Sequence, residues 1–323
     1  MIFLDKMEIY INPLKKFKYK KKEIKINKYY KINKIKKLKK KIYKFFKINK
    51  KLFIILGNGS DELINFLINC YKRRKYKYIA SFYPTFYMYE FYSIRNNIPF
   101  LKIKNSKNYD FNLKNTYKYI NKNKIGIFFI ANPNNPTGKK INKRKLIKLT
   151  KKCKKTMFVI DEAYYFYSKI SLIKRIKKKT NNIVILRTFS KIGFAGIRFG
   201  ILICNKFNYI YLRKKREPYS INIFAIEIIS FFLNKKQFKF IKKHIKKIIK
   251  ERNKIYKKID KKKLIKSNSN FYLSNFKINK NIKNKFKFKK IFFNKRKLLR
   301  FTIYKKYINK LLIKKILNEK KNI

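Results

Sequence analysis

The chain has 323 residues, and its 91 lysines and arginines against 14 aspartates and glutamates give a formal charge of +77. This length allows two domains or one large α/β unit, and a hydrophobic content of 46% argues against disorder throughout. A single histidine argues against a His-based metal site or catalytic triad, and three isolated cysteines argue against a disulfide framework or a metal site.

The basic charge by itself is typical of a nucleic-acid-binding protein. The lysines, however, are spread over the whole chain beside an excess of Ile, Asn, Tyr and Phe, which share A/T-rich codons. Compositional drift explains this pattern more simply than a basic binding face, so we expect no specific nucleic-acid partner. No apolar run approaches the roughly 18 residues of a membrane span, and Met1–Asp5 lacks the features of a signal peptide. We therefore expect a cytoplasmic protein.

In the first two thirds of the chain, predicted strands alternate with predicted helices. The apolar spacing predicts a helix over Ile32–Phe46, a strand over Leu52–Leu56, a helix capped by Ser60 or Asp61, and a strand over Tyr78–Ala80. Further strands are predicted at Ile125–Ile130, Met157–Ile160, Ile183–Arg187 and Phe199–Ile203, with a Lys-rich helix over 141–154. Such alternation predicts a mostly parallel sheet covered on both faces, with ligands beyond the carboxyl ends of its strands.

After residue 206 the pattern changes. A long helix is predicted over Phe238–Ile259, followed by strands at Asn270–Leu273 and Leu298–Ile303 and a terminal helix from about Tyr307. We interpret this region as a smaller α+β domain that part of the N-terminal segment completes. The predicted division is residues 1–44 as an N-terminal arm, 45–235 as the large domain and 236–323 as the small domain.

The most informative stretch is Thr188–Arg198. Lys191 stands between the hydroxyl of Ser190 and a Gly-rich turn, and Arg198 follows seven residues later. Asp161 closes an apolar run about thirty residues upstream. A lysine that can form a Schiff base, groups that can hold a phosphate, and a carboxylate for a ring nitrogen are what pyridoxal phosphate needs from a protein. In isolation, Asp161 would be a helix N-cap and Arg198 a surface charge.

Two other turns and one aromatic side chain fit the same chemistry. Gly57–Glu62 is a Gly-rich turn that enters a helix, where backbone N–H groups can hold a phosphate, although an ordinary capped helix has the same pattern. Asn132–Gly138 is a rigid turn from which Asn135 can aim its amide at a ligand, or it is a plain Pro/Asn turn. Tyr164 lies three residues after Asp161, within reach of a phenolic oxygen on such a cofactor.

Together these motifs resemble the fold-type I pyridoxal-phosphate-dependent aminotransferases, and within them the histidinol-phosphate aminotransferases, over about residues 4–316. The resemblance implies an α/β fold with a mostly parallel seven-stranded sheet between helices in a large cofactor-binding domain, plus a smaller α+β domain. It implies that Lys191 is the Schiff-base lysine and proton shuttle and that Asp161 pairs with the ring nitrogen. Asn135 and Tyr164 would hold the phenolic oxygen, and Phe86 would stack on the ring.

The resemblance also implies how the phosphate and the substrate are bound. Ser60, Asp61, Ser190 and Arg198 would surround the cofactor phosphate. Tyr29 would reach the phosphate of the neighbouring subunit in a homodimer. Arg300 would bind the acidic group of the substrate, and no metal is implied.

The implied reaction transfers an amino group between glutamate and imidazole acetol phosphate, within histidine biosynthesis. Two departures bear on the substrate: an N-terminal Glu-Asn-Pro motif appears only as Glu8–Tyr10, and a second substrate arginine is replaced, with Lys295 or Arg296 as substitutes. Another aminotransferase or a decarboxylase of the same fold is the nearest alternative. A basic nucleic-acid-associated protein without catalysis is the alternative of another class.

Overall fold

The computed structural model describes residues 1–16, 24, 26–71, 77–106, 109–113, 115–176, 182–276, 278–293 and 296–318. Within these ranges the strands are β1 (Ile2–Phe3), β2 (Phe53–Gly57), β3 (Tyr78–Tyr83), β4 (Phe100–Lys104), β5 (Ile125–Ala131), β6 (Met157–Asp161), β7 (Ile183–Thr188), β8 (Gly200–Cys204), β9 (Phe271–Ser274), β10 (Phe286–Lys287), β11 (Lys289–Phe293) and β12 (Arg296–Thr302). The α-helices are α1 (Ile32–Phe46), α2 (Gly59–Tyr71), α3 (Met88–Arg95), α4 (Thr116–Lys122), α5 (Lys143–Lys152), α6 (Tyr165–Ser168), α7 (Lys206–Arg213), α8 (Ile223–Phe232), α9 (Lys235–Lys258), α10 (Lys280–Lys285) and α11 (Lys306–Asn318).

The central sheet has seven strands in the order β2-β8-β7-β6-β5-β3-β4. Strand β8 is antiparallel to both of its neighbours, and the other pairings in the sheet are parallel. The predicted α/β fold with a mostly parallel seven-stranded sheet is therefore confirmed. Because β8 alone runs the opposite way, its amino end lies at the same edge as the carboxyl ends of the other six strands.

Both faces of this sheet are buried, which explains the continuous apolar runs of its strands. All five residues of β6 are buried. Phe158 and Ile160 face one hydrophobic core, whereas Met157 and Val159 face a second core that includes α2. Alternate residues of one strand thus pack on opposite sides, so neither side offers a position for an exposed lysine.

A second, antiparallel sheet has the order β11-β12-β9 and contains Arg300 opposite Leu273. The amino-terminal strand β1 pairs in parallel with β10, and the Leu4 carbonyl accepts hydrogen bonds from the amide and the hydroxyl of Thr302. These contacts attach the start of the chain to its C-terminal part. The boundaries proposed for the two domains, after residues 44 and 235, stay predictions. No helix in the described ranges has both the length and the apolar character that a membrane crossing needs.

The predicted helix cap at Ser60 or Asp61 was wrong, because α2 begins earlier, at Gly59. Ser60 and Asp61 lie inside the first turn of α2. The Glu62 carboxylate accepts a hydrogen bond from the Asn58 backbone amide at 3.1 Å. This contact satisfies an amide that precedes the helix. The Lys-rich helix predicted over 141–154 is shorter, because Asn142 caps it from outside by accepting hydrogen bonds from two backbone amides.

Candidate active site

The predicted site residues converge at one edge of the central sheet. The carboxyl ends of β3, β5, β6 and β7 and the amino end of β8 meet there, beside the start of α2. Nine of the eleven predicted residues line one pocket at this edge. The lining residues are Ser60, Asp61, Phe86, Ala131, Pro133, Asn135, Asp161, Ala163, Tyr164, Thr188, Ser190, Lys191 and Arg198.

Asp161 is a buried carboxylate at the end of β6, with 4% of its surface exposed. Its Oδ1 accepts a hydrogen bond from the Ala163 amide at 2.9 Å, and its Oδ2 accepts one from the Tyr89 hydroxyl at 2.7 Å. Burial raises the pKa of Asp161 to about 6, although both hydrogen bonds oppose this rise. Within the described part of the chain, no lysine or arginine lies within ion-pair distance of this carboxylate. A buried acid in this state is suited to a cationic ligand.

Lys191 follows β7 in a short 3-10 turn, Ser190–Ile192, at the pocket wall. The Thr188 and Ser190 hydroxyls lie 2.9 Å apart, and the Thr188 hydroxyl also accepts from the Ser190 amide, which fixes the turn. Gly193 ends it at a φ of +104°, and a Cβ there would lie 2.8 Å from Pro13. Burial, followed by the charge of Arg300, lowers the pKa of the Lys191 amine. The amine is therefore more readily available in the neutral form that nucleophilic chemistry needs.

The pocket also presents donors suited to an anion, beside the start of α2. Ser60 lies in the first turn of the 13-residue helix α2, whose N-terminus carries unpaired N–H groups. Arg198 has a φ of +50° and donates to the Asp61 carboxylate at 2.9 Å. A Cβ on Gly59 would lie 2.7 Å from the Arg198 guanidinium, so the glycine makes room for it. Asp61 therefore holds Arg198 at the pocket rather than presenting a donor of its own.

The remaining wall consists of Phe86, Asn135 and Tyr164. The Asn135 side-chain oxygen accepts a hydrogen bond from Arg300 at 2.6 Å, which leaves its amide nitrogen as the donor group. The Tyr164 hydroxyl donates to the Met7 sulfur at 3.0 Å, and burial raises the pKa of this phenol. A donor set with an amine, an ionisable acid and an anion cradle fits a phosphorylated pyridinium aldehyde.

Arg300 and Tyr29 do not line this pocket. Arg300 is buried on β12, where it donates to Asn135 and, at 2.7 Å, to the Asp5 carbonyl, and so it links the second sheet to the site. Tyr29 is 81% exposed, with its ring centroid 4.5 Å from that of Tyr219. Of the two proposed substitutes for the second arginine, Arg296 is exposed at the start of β12, and Lys295 lies outside the described residues.

Sequence reasoning missed two features of the site. Tyr89 was not predicted, because its contact with Asp161 joins residues 72 positions apart. Glu162 was also missed: it forms a buried ion pair with Arg187 at 2.8 Å, and each side chain is only 1% exposed. The Phe46 and Tyr165 rings lie beside the Arg187 guanidinium. The described residues contain no group of three acidic, histidine or cysteine side chains that could hold a metal.

Comparison with known protein families agrees with this geometry. A family model described as aminotransferase class I and II matches residues 8–300. This chain belongs to that family. Among the aminotransferases it resembles is the histidinol-phosphate aminotransferase of Clostridium novyi, which is 37% identical over 68% of this chain and 62% of that protein. The histidinol-phosphate aminotransferase of Francisella philomiragia is 32% identical over 80% of this chain and 75% of that protein. In the first of these alignments, less than two thirds of the relative is matched.

Solved structures of aminotransferases and of a decarboxylase share the fold. The histidinol-phosphate aminotransferase of Clostridium acetobutylicum superimposes with a TM-score of 0.85 over 100% of both chains, at 23% identity. That of Sinorhizobium meliloti, solved with pyridoxal-5'-phosphate, has a TM-score of 0.80 over 96% of this chain and 88% of that chain, at 15% identity. L-threonine-O-3-phosphate decarboxylase of Porphyromonas gingivalis has a TM-score of 0.75 over 100% of both chains, at 18% identity. At these identities the likeness establishes the fold alone.

Proposed function

We propose that this aminotransferase uses pyridoxal 5'-phosphate to exchange an amino group between histidinol phosphate and 2-oxoglutarate, and in reverse between glutamate and imidazole acetol phosphate. The observation that carries the proposal is the pocket that joins Asp161, a buried acid without a cation in the described chain, to Lys191 and to the anion cradle at Arg198. The two relatives described above support the substrate, since both are histidinol-phosphate aminotransferases. The reaction belongs to histidine biosynthesis.

Each end of the cofactor has a matching group in the pocket. Asp161 would pair with the ring nitrogen, and the positive charge it receives there compensates for its burial. Ser60, Ser190, Arg198 and the N-terminus of α2 would hold the phosphate. Phe86 would stack on the ring, and Asn135 and Tyr164 would donate to the phenolic oxygen. When bound, the cofactor supplies an electron sink, which a protonated ring nitrogen strengthens.

Lys191 would have two tasks. Its amine would link to the cofactor aldehyde, for which the lowered pKa of this group is an advantage. With a substrate bound, Nζ would be the base placed to take the proton from the substrate Cα and to return it. The backbone carbonyl of Lys191 accepts a hydrogen bond from the Tyr167 hydroxyl at 2.6 Å, which anchors the turn that carries the amine. The backbone of Lys191 is thus held in place, and only its side chain would move during proton transfer.

Arg300 is the proposed anchor for the acidic group of each substrate. Its guanidinium forms a planar fork that can bind the carboxylate of glutamate or the phosphate of histidinol phosphate. The contact with the Asn135 side-chain oxygen, at 2.6 Å, ties this fork to the residue proposed to hold the cofactor. We propose that Lys295 or Arg296 supplies the second positive charge for the phosphate of the substrate.

We further propose that the enzyme is a cytoplasmic homodimer in which Tyr29 reaches the phosphate site of the neighbouring subunit. Tyr29 supports this, because its ring projects from the surface and does not line the pocket of its own chain. Three other large hydrophobic side chains are also exposed, as expected of a surface that a second copy would cover: Ile26, Ile32 and Tyr219. Measurement of the mass in solution tests the assembly.

The cofactor assignment is tested by replacing Lys191 with alanine. The wild-type protein with added pyridoxal phosphate should show the visible absorbance of a lysine linked to the aldehyde, and Lys191→Ala should lose it. Transamination should fall by at least about a hundredfold, since proton transfer by a positioned base contributes that much or more. Lys39→Ala is the matched control, because Lys39 also has a pKa lowered by burial but does not line the pocket.

Assays with each acceptor separate the proposed substrate from its alternatives. Formation of 2-oxoglutarate from glutamate and imidazole acetol phosphate supports the histidinol-phosphate reaction. Release of carbon dioxide without an amino acceptor would indicate a decarboxylase such as those that share the fold. Absence of the visible absorbance from both wild type and Lys191→Ala would contradict the assignment of the cofactor.

A further inference from the structure

We propose that Tyr89 is a positioning residue for Asp161: its hydroxyl proton holds Oδ2 so that the carboxylate keeps one fixed orientation toward the ring nitrogen of the cofactor. This inference rests on the proposed function. Tyr89 lies in α3 and does not line the pocket, so it would act through Asp161 and not by contact with the cofactor.

The ring of Tyr89 is fixed by its surroundings. The side chain has no exposed surface, and its ring stacks on Phe129 with centroids 4.6 Å apart and an angle of 10° between the planes. Phe86, the proposed stacking residue for the cofactor, meets the same ring edge-on at 5.5 Å. Because the ring is held from two sides, its phenolic oxygen has a fixed position, which lies 2.7 Å from Oδ2 of Asp161.

The two hydrogen bonds to Asp161 act on different oxygens. The Ala163 amide donates to Oδ1, and the Tyr89 hydroxyl donates to Oδ2 at 2.7 Å, a normal length for an O–H···O bond. Either bond alone leaves the carboxylate free to turn about the bond to Cβ. Both together define its plane, and each oxygen retains a lone pair for a pyridinium N–H. A buried hydroxyl also requires a partner, and Asp161 is the partner of the Tyr89 hydroxyl.

The same bond affects the charge of Asp161. Burial raises the pKa of this group to about 6, while the Tyr89 hydroxyl, the Ala163 amide and the charge of Lys191 lower it and the charge of Asp61 raises it. Tyr164 is the other titratable group that faces it, and its phenol is neutral because burial raises its pKa. Removal of the Tyr89 hydroxyl takes away the largest opposing contribution. The acid would then be protonated at a higher pH, and a protonated acid cannot pair with a pyridinium.

The test is the pH dependence of pyridoxal-phosphate affinity for the apoprotein of Tyr89→Phe. We expect the pH below which affinity falls to rise by about one unit, because a hydrogen bond to a charged group contributes about that much. Since the midpoint then moves from about 6 to about 7, the charge effect should lower affinity at pH 7 by about twofold. At pH 9 the acid is ionised in both proteins, and only the loss caused by the freed orientation of the carboxylate should remain. Tyr43→Phe is the control, because the Tyr43 hydroxyl is likewise a hydrogen-bond donor, to the Leu52 carbonyl at 2.5 Å, but its ring is only partly buried and lies outside the pocket.

A role for Tyr89 in ring packing alone predicts a different result: the affinity midpoint keeps its wild-type pH whether or not affinity falls, and an unshifted midpoint would overturn the proposal. If Tyr89→Phe does not fold, a difluorinated tyrosine at this position provides a second test with little change in ring volume. Its stronger donor should move the affinity midpoint to lower pH, and an unchanged midpoint would contradict the proposal. A wild-type apoprotein that binds no pyridoxal phosphate would overturn the proposed function itself.

Discussion

Two carboxylates that follow one another at the end of β6 lie in opposite electrical environments. Glu162 points away from the pocket, where Arg187 pairs with it at 2.8 Å and both side chains are 1% exposed. Asp161 points into the pocket and is also buried, and among the described residues its hydrogen bonds come from neutral donors. Since burial of a lone charge is costly, the protein's own arginine compensates Glu162, and a cationic ligand is the compensation that we propose for Asp161. An unpaired buried acid therefore indicates a ligand better than an acid of perturbed pKa alone.

The largest effect on the free energy of unfolding should come from breaking the Glu162–Arg187 ion pair. Glu162→Gln removes the partner of a fully buried guanidinium and should lower the free energy of unfolding by about 3–5 kcal/mol. Denaturant titration at neutral pH measures this loss. The control is Asp110→Asn, which breaks the ion pair with Lys139 at a carboxylate that is 66% exposed, and it should cost less than about 1 kcal/mol. Equal losses in the two variants would show that burial of the Glu162 pair is unimportant for stability.

Replacement of Asp161 should have the opposite effect on stability. The pKa of Asp161 is raised from 3.8 to about 6, so the folded apoprotein binds a proton that the unfolded chain has released. Asp161 therefore lowers stability as the pH rises from about 4 through 6. In Asp161→Asn this contribution is absent, and at pH 7 the variant apoprotein should equal or exceed the wild type in stability, by up to about 3 kcal/mol.

Unfolding of both apoproteins at a series of pH values checks this prediction, since Glu162 is present in both and cancels. The stability difference should be near zero below pH 4 and should grow toward pH 7. The same variant should bind pyridoxal phosphate more weakly, so stability and affinity change in opposite directions. A variant less stable than the wild type at pH 7 would show that Asp161 already has a compensating charge in the apoprotein.

The smallest effect concerns an ion pair between these extremes. Arg198 and Asp61 are 45% and 32% exposed, so their attraction is screened by water. Arg198→Lys should change the free energy of unfolding by less than about 1 kcal/mol. It should weaken pyridoxal-phosphate binding about tenfold, because an ammonium cannot form the two parallel bonds of a guanidinium. Fluorescence titration with the cofactor measures this, and an unchanged affinity would remove Arg198 from the phosphate site.

The strands of the central sheet could be predicted wherever burial on both faces produced an unbroken apolar run. Met157–Ile160 was predicted as a strand, and the structure extends it by one residue to Asp161. Strand β4, Phe100–Lys104, was not predicted, because it lies at the edge of the sheet and its lysines interrupt the run. Strand β11, Lys289–Phe293, is likewise an edge strand with exposed lysines and was also missed. In a chain so rich in lysine, an edge strand has the same local composition as a loop.

The site could be predicted where its groups follow strands directly, as Asp161 and Lys191 do, since parallel strands bring their carboxyl ends together. It could not be predicted where partners come from distant parts of the chain. The bond between Tyr89 and Asp161 and that between Arg300 and Asn135 join residues 72 and 165 positions apart. No local pattern records such pairs, because they are set by how α3 and the second sheet pack against the first.

The bond between Arg300 and Asn135 also sets an order of events during synthesis on the ribosome. All strands of the central sheet are complete once Cys204 has been made, but the arginine arrives about a hundred residues later. Leu4 and Met7, which hydrogen-bond to Thr302, have no partner on β12 until that same late stage. A nascent chain can therefore assemble the pocket edge of the central sheet while Arg300 is still unmade. Contacts of such long sequence separation slow folding, so we expect the attachment of β12 to the N-terminal segment to be a late step in folding.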